Sequence, residues 1–422
     1  MSFQTQVVVL PPFSLFAAVR EKSFEMLKKF RNFLFTLTLL PFLSFSANGE
    51  GWVSLSDRLN PETIPMPDTL SSRHSLSPTL AFWRGGLYAS WTQPDAHGIQ
   101  QIYIKKLNRN QKTWEAFGKG QNKDRFSPAS TPFLASNEKS LFLAWTEKNG
   151  NQVSQLYVRE WNGSEWISLG DSLNVDSGKE ARNPVLAFSN DTPYIAWNEL
   201  GEKEWSRLYI KRWEGKSWIS EGPGFGLENQ HTTMAPGFIF EGRKGHLVWP
   251  EADGTRVFQI YHAALEDGKW FFQKKSLNKD VQMQAFNPSM TLFNGALYLI
   301  FQEKNREGDF KLQLRHLAPE GWKNDPEEII DRGAKVFNPT LASNRRGLML
   351  AWEERDPQGH PKIVAQSIFP AGTTKVMAPI NADADRVGLS PFLFSGDQEI
   401  YLAWKENNQD DLYQIHIKKY SP

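Results

Sequence analysis

The chain has 422 residues, 40% apolar and 23% charged, which is ordinary globular composition and excludes a disordered or fibrous chain. Lys plus Arg (48) balances Asp plus Glu (47) to a net charge of +1, so neither a nucleic-acid binder with a basic surface nor a polybasic membrane-surface protein is indicated. There is no cysteine, which excludes disulfides, a cysteine nucleophile, Cys-ligated zinc, iron–sulfur clusters, Cys-attached haem and a lipid-modified N-terminal cysteine.

In chain order, the first readable segment begins at Met26. Lys28, Lys29 and Arg31 form a basic stretch and an apolar run follows over 33–45. Ser44 and Ser46 then stand at the minus-three and minus-one positions of a cut before Ala47. This is the three-part layout of a secretory signal peptide, and the run is short for a membrane span. Residues 1–25 fit no export signal, so the true start is expected at Met26. The mature chain is expected over 47–422, as one exported domain, periplasmic or extracellular, with no membrane span.

Residues 52–60 (Trp-Val-Ser-Leu-Ser-Asp-Arg-Leu-Asn) read as a lone strand. After them three series run in one register. Trp114, Trp166, Trp218, Trp270 and Trp322 are spaced 52 apart. Trp91, Trp145, Trp197, Trp249, Phe301, Trp352 and Trp404 step by 51 to 54, as do Pro78, Pro132, Pro184, Pro236, Pro288, Pro339 and Pro391. The chain therefore holds seven copies of one unit. Each reads as four short strands: one after the proline, one ending at the second-series Trp, one like 208–213, and one starting at the last Trp. No segment shows a capped helical period. The seventh unit, from Ser390, lacks its fourth strand, and residues 52–60 align with 166–174, where such a strand stands in the second unit. The expected fold is all-β: a seven-bladed β-propeller of four-stranded blades, closed by an N-terminal strand that completes the last blade.

The period-two geometry of strands also sets the register of the second hairpin of each unit. Pairing Trp145 with Tyr157 places Glu147 opposite Gln155, and the same spacing pairs Glu199 with Arg207 and Glu251 with Gln259. Six such carboxylates recur around the ring. Catalysis needs one asymmetric constellation, so this uniform set reads first as structural, each Glu facing its own cross-strand partner. Glu147, Glu199, Glu251 and Arg207 are kept as binding candidates. Trp205 joins them, since it falls outside both Trp series, in the turn between second and third strands, where an aromatic face could stack on a sugar. The connections between units carry Leu173-Asn-Val-Asp176, Leu277-Asn-Lys-Asp280 and Ile380-Asn-Ala-Asp383, whose spacing matches turn caps better than a calcium loop. No metal, cofactor or catalytic set is expected, because no histidine cluster, phosphate loop, dinucleotide fingerprint or nucleophile elbow is present.

The blade pattern, as in Tyr194-Ile-Ala-Trp-Asn-Glu199, Leu208-Tyr-Ile-Lys-Arg-Trp213 and Trp166-Ile-Ser-Leu-Gly-Asp-Ser-Leu-Asn174, resembles repeats of exported bacterial propeller proteins, a group with no single activity. It is similar more distantly to sialidases, whose Asp boxes lie in the turn before the fourth strand. Here Asn162-Gly-Ser-Glu-Trp166 and Glu214-Gly-Lys-Ser-Trp218 keep the Gly and Trp of that box but lack its leading Ser and Asp. Similarity to fucose-binding propeller lectins is also only architectural. The expected function is a non-enzymatic module that recognises a glycan or an envelope protein through the face bearing the inter-blade loops. The alternatives are a polysaccharide hydrolase, with Asp253, Arg256 or the run Glu353-Glu354-Arg355-Asp356 as its variant residues, and a scaffold of an envelope complex.

Overall fold

The computed structural model describes residues 51–55, 59, 78–118, 120–201, 205–227, 231–252, 256–324, 329, 333–368, 374–396, 398–409 and 412–421. The segment over 26–46 that reads as an export signal, everything before it and Asp253 lie outside the described residues. Twenty-nine strands and no helix make up the described chain. They form seven separate antiparallel sheets, so the chain is the seven-bladed propeller its spacing predicts. Blades 1 to 6 cover residues 79–116, 129–168, 181–220, 232–273, 285–324 and 336–377. Blade 7 covers 388–421 and is completed by Gly51–Ser54, which pairs with Tyr413–Ser421 with Trp52 opposite Tyr420.

First strands of neighbouring blades pack on one another all round the ring, whereas fourth strands make no comparable contact. First strands therefore surround the axis and fourth strands form the rim. The connection entering each blade and the turn between its second and third strands lie at the same end, because the first two strands are antiparallel. This end is called the connection face below.

Why each unit becomes a blade is visible at its second strand. Trp91, Trp145, Trp197, Trp249, Phe301, Trp352 and Trp404 are all buried. Each sits between two sheets, where burial of so large an apolar surface drives packing. The hairpin register is as the arithmetic predicts: Trp145 faces Tyr157, Glu147 faces Gln155, Glu199 faces Arg207 and Glu251 faces Gln259.

The first strands differ from expectation. In blades 2, 3, 5, 6 and 7 they begin about three residues before the proline and carry a bulge there. The residue ahead of the proline (Thr131, Asn183, Asn287, Asn338 or Ser390) has φ between +47° and +54°. Proline offers no N–H to the ladder, so the strand steps over it with one extra residue, and Asn tolerates the left-handed conformation better than most. In blade 4 the strand is split instead, into Thr232–Thr233 and Gly237–Glu241 around Pro236.

Candidate binding clefts at the blade boundaries

The recurring glutamate, a cation and the Leu-Asn-x-Asp connection form one device. In blade 3, Glu199 is 1% exposed. Its carboxylate accepts hydrogen bonds from Trp197 Nε1 (2.9 Å) and from the backbone N–H groups of Val175 (2.6 Å) and Asp176 (3.2 Å) in the incoming connection. Glu147, Glu303 and Glu406 grip their own connections through the same pair of backbone groups. The cross-strand reading of these glutamates is thus corrected. Arg207 faces Glu199 in register, but the carboxylate turns to the indole and to the connection, whose two N–H donors it satisfies.

The asparagine completes the attachment to the preceding blade. Asn174 accepts from Leu156 N–H (2.8 Å) and donates to Ser154 and Lys179 carbonyls (3.1 and 2.7 Å). Asn122, Asn278 and Asn381 take the same place. The aspartates cap turns, as Asp176 does by accepting from Gly178 N–H at 2.9 Å. No group of three or more histidine, aspartate or glutamate side chains that could hold a metal occurs among the described residues. The last part is a cation fourteen residues after the second-strand Trp. Lys211 lies over the Trp197 ring at 5.7 Å and its Nζ donates to Leu173 carbonyl at 2.8 Å. Arg159, Lys418 and Lys105 reach the connections of blades 2, 7 and 1 in the same way. Burial pulls Lys211, Lys418, Lys105 and Arg159 below their ordinary pKa values, and pushes the Glu199 and Glu303 carboxyls up.

Two boundaries lose two parts of this clasp together. Between blades 3 and 4, Gly226 stands where Asn is expected and Ala263 where the cation is expected. Between blades 5 and 6 the two positions hold Ile329 and Gln366. The remaining glutamates adjust. Glu251 takes Leu227 N–H, Trp249 Nε1 and His231 Nδ1, each at 2.7 Å. The Trp352 to Glu354 bond stretches to 3.3 Å.

Clefts open at these boundaries. One, of 790 Å³, lies between blades 5 and 6 on the connection face, lined by Lys279, Lys304, Arg306, Leu312, Ile329 and Glu354 among others. A second, 540 Å³, adjoins it along blade 6, past Asp356, Lys362 and Pro379. A third, 370 Å³, lies between blades 3 and 4, walled by 221–227, Trp270, Phe272 and Lys274.

Beside the cleft between blades 5 and 6 runs a row of half-buried rings across three blades. Phe258, Phe286, Phe310 and Phe337 follow one another at 5.2, 6.0 and 5.8 Å, and Arg355 lies over Phe337 at 5.3 Å. Sequence reasoning missed this row. Its only signal was Phe two residues before Pro288 and Pro339, where other blades carry Ser130, Arg182 or Leu389. Nearer the axis, Asn338 N–H donates to Gln302 Oε1 (2.8 Å), and Asn338 Nδ2 and Ser390 N–H both donate to Glu353 Oε1 (2.7 Å each). Lys405, at the matching position of blade 7, is buried and held below its ordinary pKa by that burial, with Glu353 acting against it.

The sequence-derived candidates scatter over this map. Trp205 is half-buried at the end of the second turn of blade 3, its carbonyl accepting from Gly201 N–H. Arg207 donates to Gly224 carbonyl at 3.4 Å. With Glu251 these two border the boundary of blades 3 and 4. Glu147 belongs to the boundary of blades 1 and 2, and Glu199 to that of blades 2 and 3. Of the hydrolase candidates, Arg256 is exposed just ahead of the third strand of blade 4, and Asp356 caps a turn by accepting from Gln358 and His360 N–H. Glu353 and Glu354 point to opposite faces of one strand, toward the axial chain and the clasp.

Neither a family model nor a curated protein sequence matches this chain. Among solved structures it is similar to the polysaccharide lyase Uly1, at 9% identity and a TM-score of 0.58, over 89% of this chain and 98% of that one. A protein of unknown function from Dyadobacter fermentans aligns at 12% identity and a TM-score of 0.47, over 83% and 95% of the two chains. A sialidase of Trypanosoma rangeli aligns at 11% identity and a TM-score of 0.48, over 90% of this chain and 60% of its own length. At 9% identity the likeness to the lyase is one of fold.

Proposed function

We propose that this chain is an exported, non-enzymatic propeller that binds a glycan on its connection face, with the cleft between blades 5 and 6 as its principal site. One observation carries the reading: the boundary of blades 5 and 6, one of the two that lose both asparagine and cation, holds a 790 Å³ cleft beside a row of aromatic rings. A sugar ring pairs an apolar C–H face with a fringe of hydroxyls. Phe310 and Phe337 suit the face, and Lys304, Arg306 and Arg355 suit the fringe. The fold of a polysaccharide lyase is compatible with this reading but does not fix it. The signal-peptide layout of 26–46 supports export.

The test is a broad glycan array probed with purified 47–422, beside Phe310→Ala and Phe337→Ala. Binding to a defined glycan class is expected, weakened about tenfold in either variant, as loss of a stacking ring implies. A blank array would overturn the reading and turn attention to an envelope protein as the partner.

A hydrolase reading rests on one feature, the asymmetric chain Gln302–Asn338–Glu353–Ser390 with Lys405 nearby. Following the bound glycan for cleavage over time, with Glu353→Gln as control, decides it. Cleavage that disappears in the variant would make the protein an enzyme.

A further inference from the structure

The 370 Å³ cleft between blades 3 and 4 lies on a boundary apart from the proposed site and has its own chemistry. Its floor is aromatic. Phe225 meets the Trp270 ring edge-on at 5.0 Å and lies 5.5 Å from Phe272, and Phe272 keeps 42% of its surface exposed. Phe272 is a departure from the repeat: the same place in the fourth strand is Ser54, Ala116, Ser168, Ser220 or Asn324 in other blades. Small residues there leave a plain rim, whereas Phe272 raises a flat apolar wall.

The opposite wall is Gly222-Pro-Gly-Phe-Gly226. Its hydrogen bonding alternates. Glu221, Phe225 and Leu227 N–H donate inward, to Ile210 carbonyl, Leu208 carbonyl and Glu251. The N–H groups of Gly222, Gly224 and Gly226 have no acceptor among the described residues. These glycines hold φ of +134°, +116° and +146°, a conformation other residues rarely adopt. At the cleft, Lys274 makes no ion pair among the described residues, while Glu221 is already engaged by Arg212 Nε at 2.5 Å. The cleft thus offers donors and a cation, and the one carboxylate that lines it among the described residues is neutralised by a partner.

We infer that this cleft is a second, separate subsite for an acidic sugar residue. The apolar face of the ring lies on Phe272 and Trp270, and its carboxylate or sulfate faces the glycine N–H groups and Lys274. The inference rests on the glycan reading above, and adds to it a charge class and a second point of attachment on one chain. Two such points would raise the avidity for a long acidic polymer beyond that of either cleft.

The probe is a uronate oligosaccharide, titrated into the full mature chain beside its methyl ester. The uronate is expected to bind more tightly than the ester, and to weaken as salt rises. Phe272→Ser, which installs the residue found in blades 2 and 3, and Lys274→Ala are each expected to weaken it about fivefold to tenfold. Both side chains are exposed, so neither variant threatens the fold. Binding that responds to Phe310→Ala but not to Phe272→Ser, Lys274→Ala or esterification would overturn this subsite and leave the principal one standing. Absence of binding to any glycan would overturn both.

Discussion

Glu199 shows how one side chain can serve three neighbours. Its carboxylate collects an indole N–H from its own strand and two backbone N–H groups from the connection. Replacing it with alanine strands one buried indole donor, removes the partner of two part-buried backbone donors and opens a void. The expected cost for Glu199→Ala is about 3 kcal/mol, the order found when a buried, hydrogen-bonded charge loses its place. A urea titration monitored by Trp fluorescence measures it, and a change under about 0.5 kcal/mol would dismiss the clasp as a stabilising device. The sign of its pH dependence is also set. Burial raises the folded pKa of Glu199 and Glu303 above the unfolded value. Their contribution is therefore present at low pH and lost as pH rises through the folded pKa, so these carboxylates do not cause acid unfolding.

Among elements, the second and third strands of blade 4 hold the exception to the apolar repeat. His246 and His262 stand where other blades carry residues such as Tyr194 and Ile210. The imidazoles are 3.1 Å apart, and Trp322 of blade 5 donates to His262 Nδ1 at 3.4 Å. That bond assigns the Nδ1 lone pair of His262 to acceptance and leaves its Nε2–H to donate to His246. Burial is the main cause that holds His246 down to about 4 and His262 to about 3. Lys244 opposes protonation and Glu266 favours it, but the two are paired with each other at 2.8 Å. Both folded pKa values lie below the unfolded 6.5, so the stabilisation is complete above that pH and is lost as pH falls toward 4 and 3. His246 alone contributes on the order of 3 kcal/mol to this loss. The double variant His246→Tyr/His262→Ile restores the common pattern. Its urea midpoint is expected to fall much less between pH 7 and pH 4.5 than that of the wild type, and an equal fall would assign the acid sensitivity elsewhere.

The ring as a whole was legible in the sequence because every blade buries the same residues at the same spacing. Trp145, Trp197 and Trp404 occupy equivalent seams, so a period of about 52 had to surface in the chain. The hairpin register was legible for a similar reason, since a slip by one residue would turn each Trp outward. The clefts were not legible, because they depend on what is missing. Gly226, Ala263, Ile329 and Gln366 look unremarkable until the clasp shows what their counterparts do. Trp205 drew notice by breaking a series, whereas Phe272 and Phe310 broke quieter ones. The bulges escaped because the proline looked like a strand start when it is a strand interruption.

Ring closure is the property that belongs only to the whole molecule. Seven blades in a row would leave two unsatisfied faces, as in an open solenoid, and blade 7 would end on an exposed strand edge. Gly51–Ser54 covers that edge, and Trp52 packs against Tyr420 with ring centroids 5.4 Å apart. Lys105 Nζ donates to Leu59 carbonyl at 2.7 Å and so ties the same end segment to blade 1. Trp52 and Trp166 hold the same place in the fourth strands of blades 7 and 2, but only Trp52 joins strands from opposite ends of the chain. Trp166→Ala is expected to lower stability by about 2 kcal/mol, a local packing loss. Trp52→Ala removes similar packing and also weakens the contact that makes unfolding of one blade depend on the others. It is therefore expected to lower the urea midpoint at least as much as Trp166→Ala, and to broaden or split a transition that Trp166→Ala leaves sharp. Deleting residues 51–55 should exaggerate the same signature. If Trp52→Ala left the midpoint and the sharpness of the wild type intact, the terminal strand would be an ornament on blade 7, and the seven blades would hold their ring through the inter-blade clasps alone.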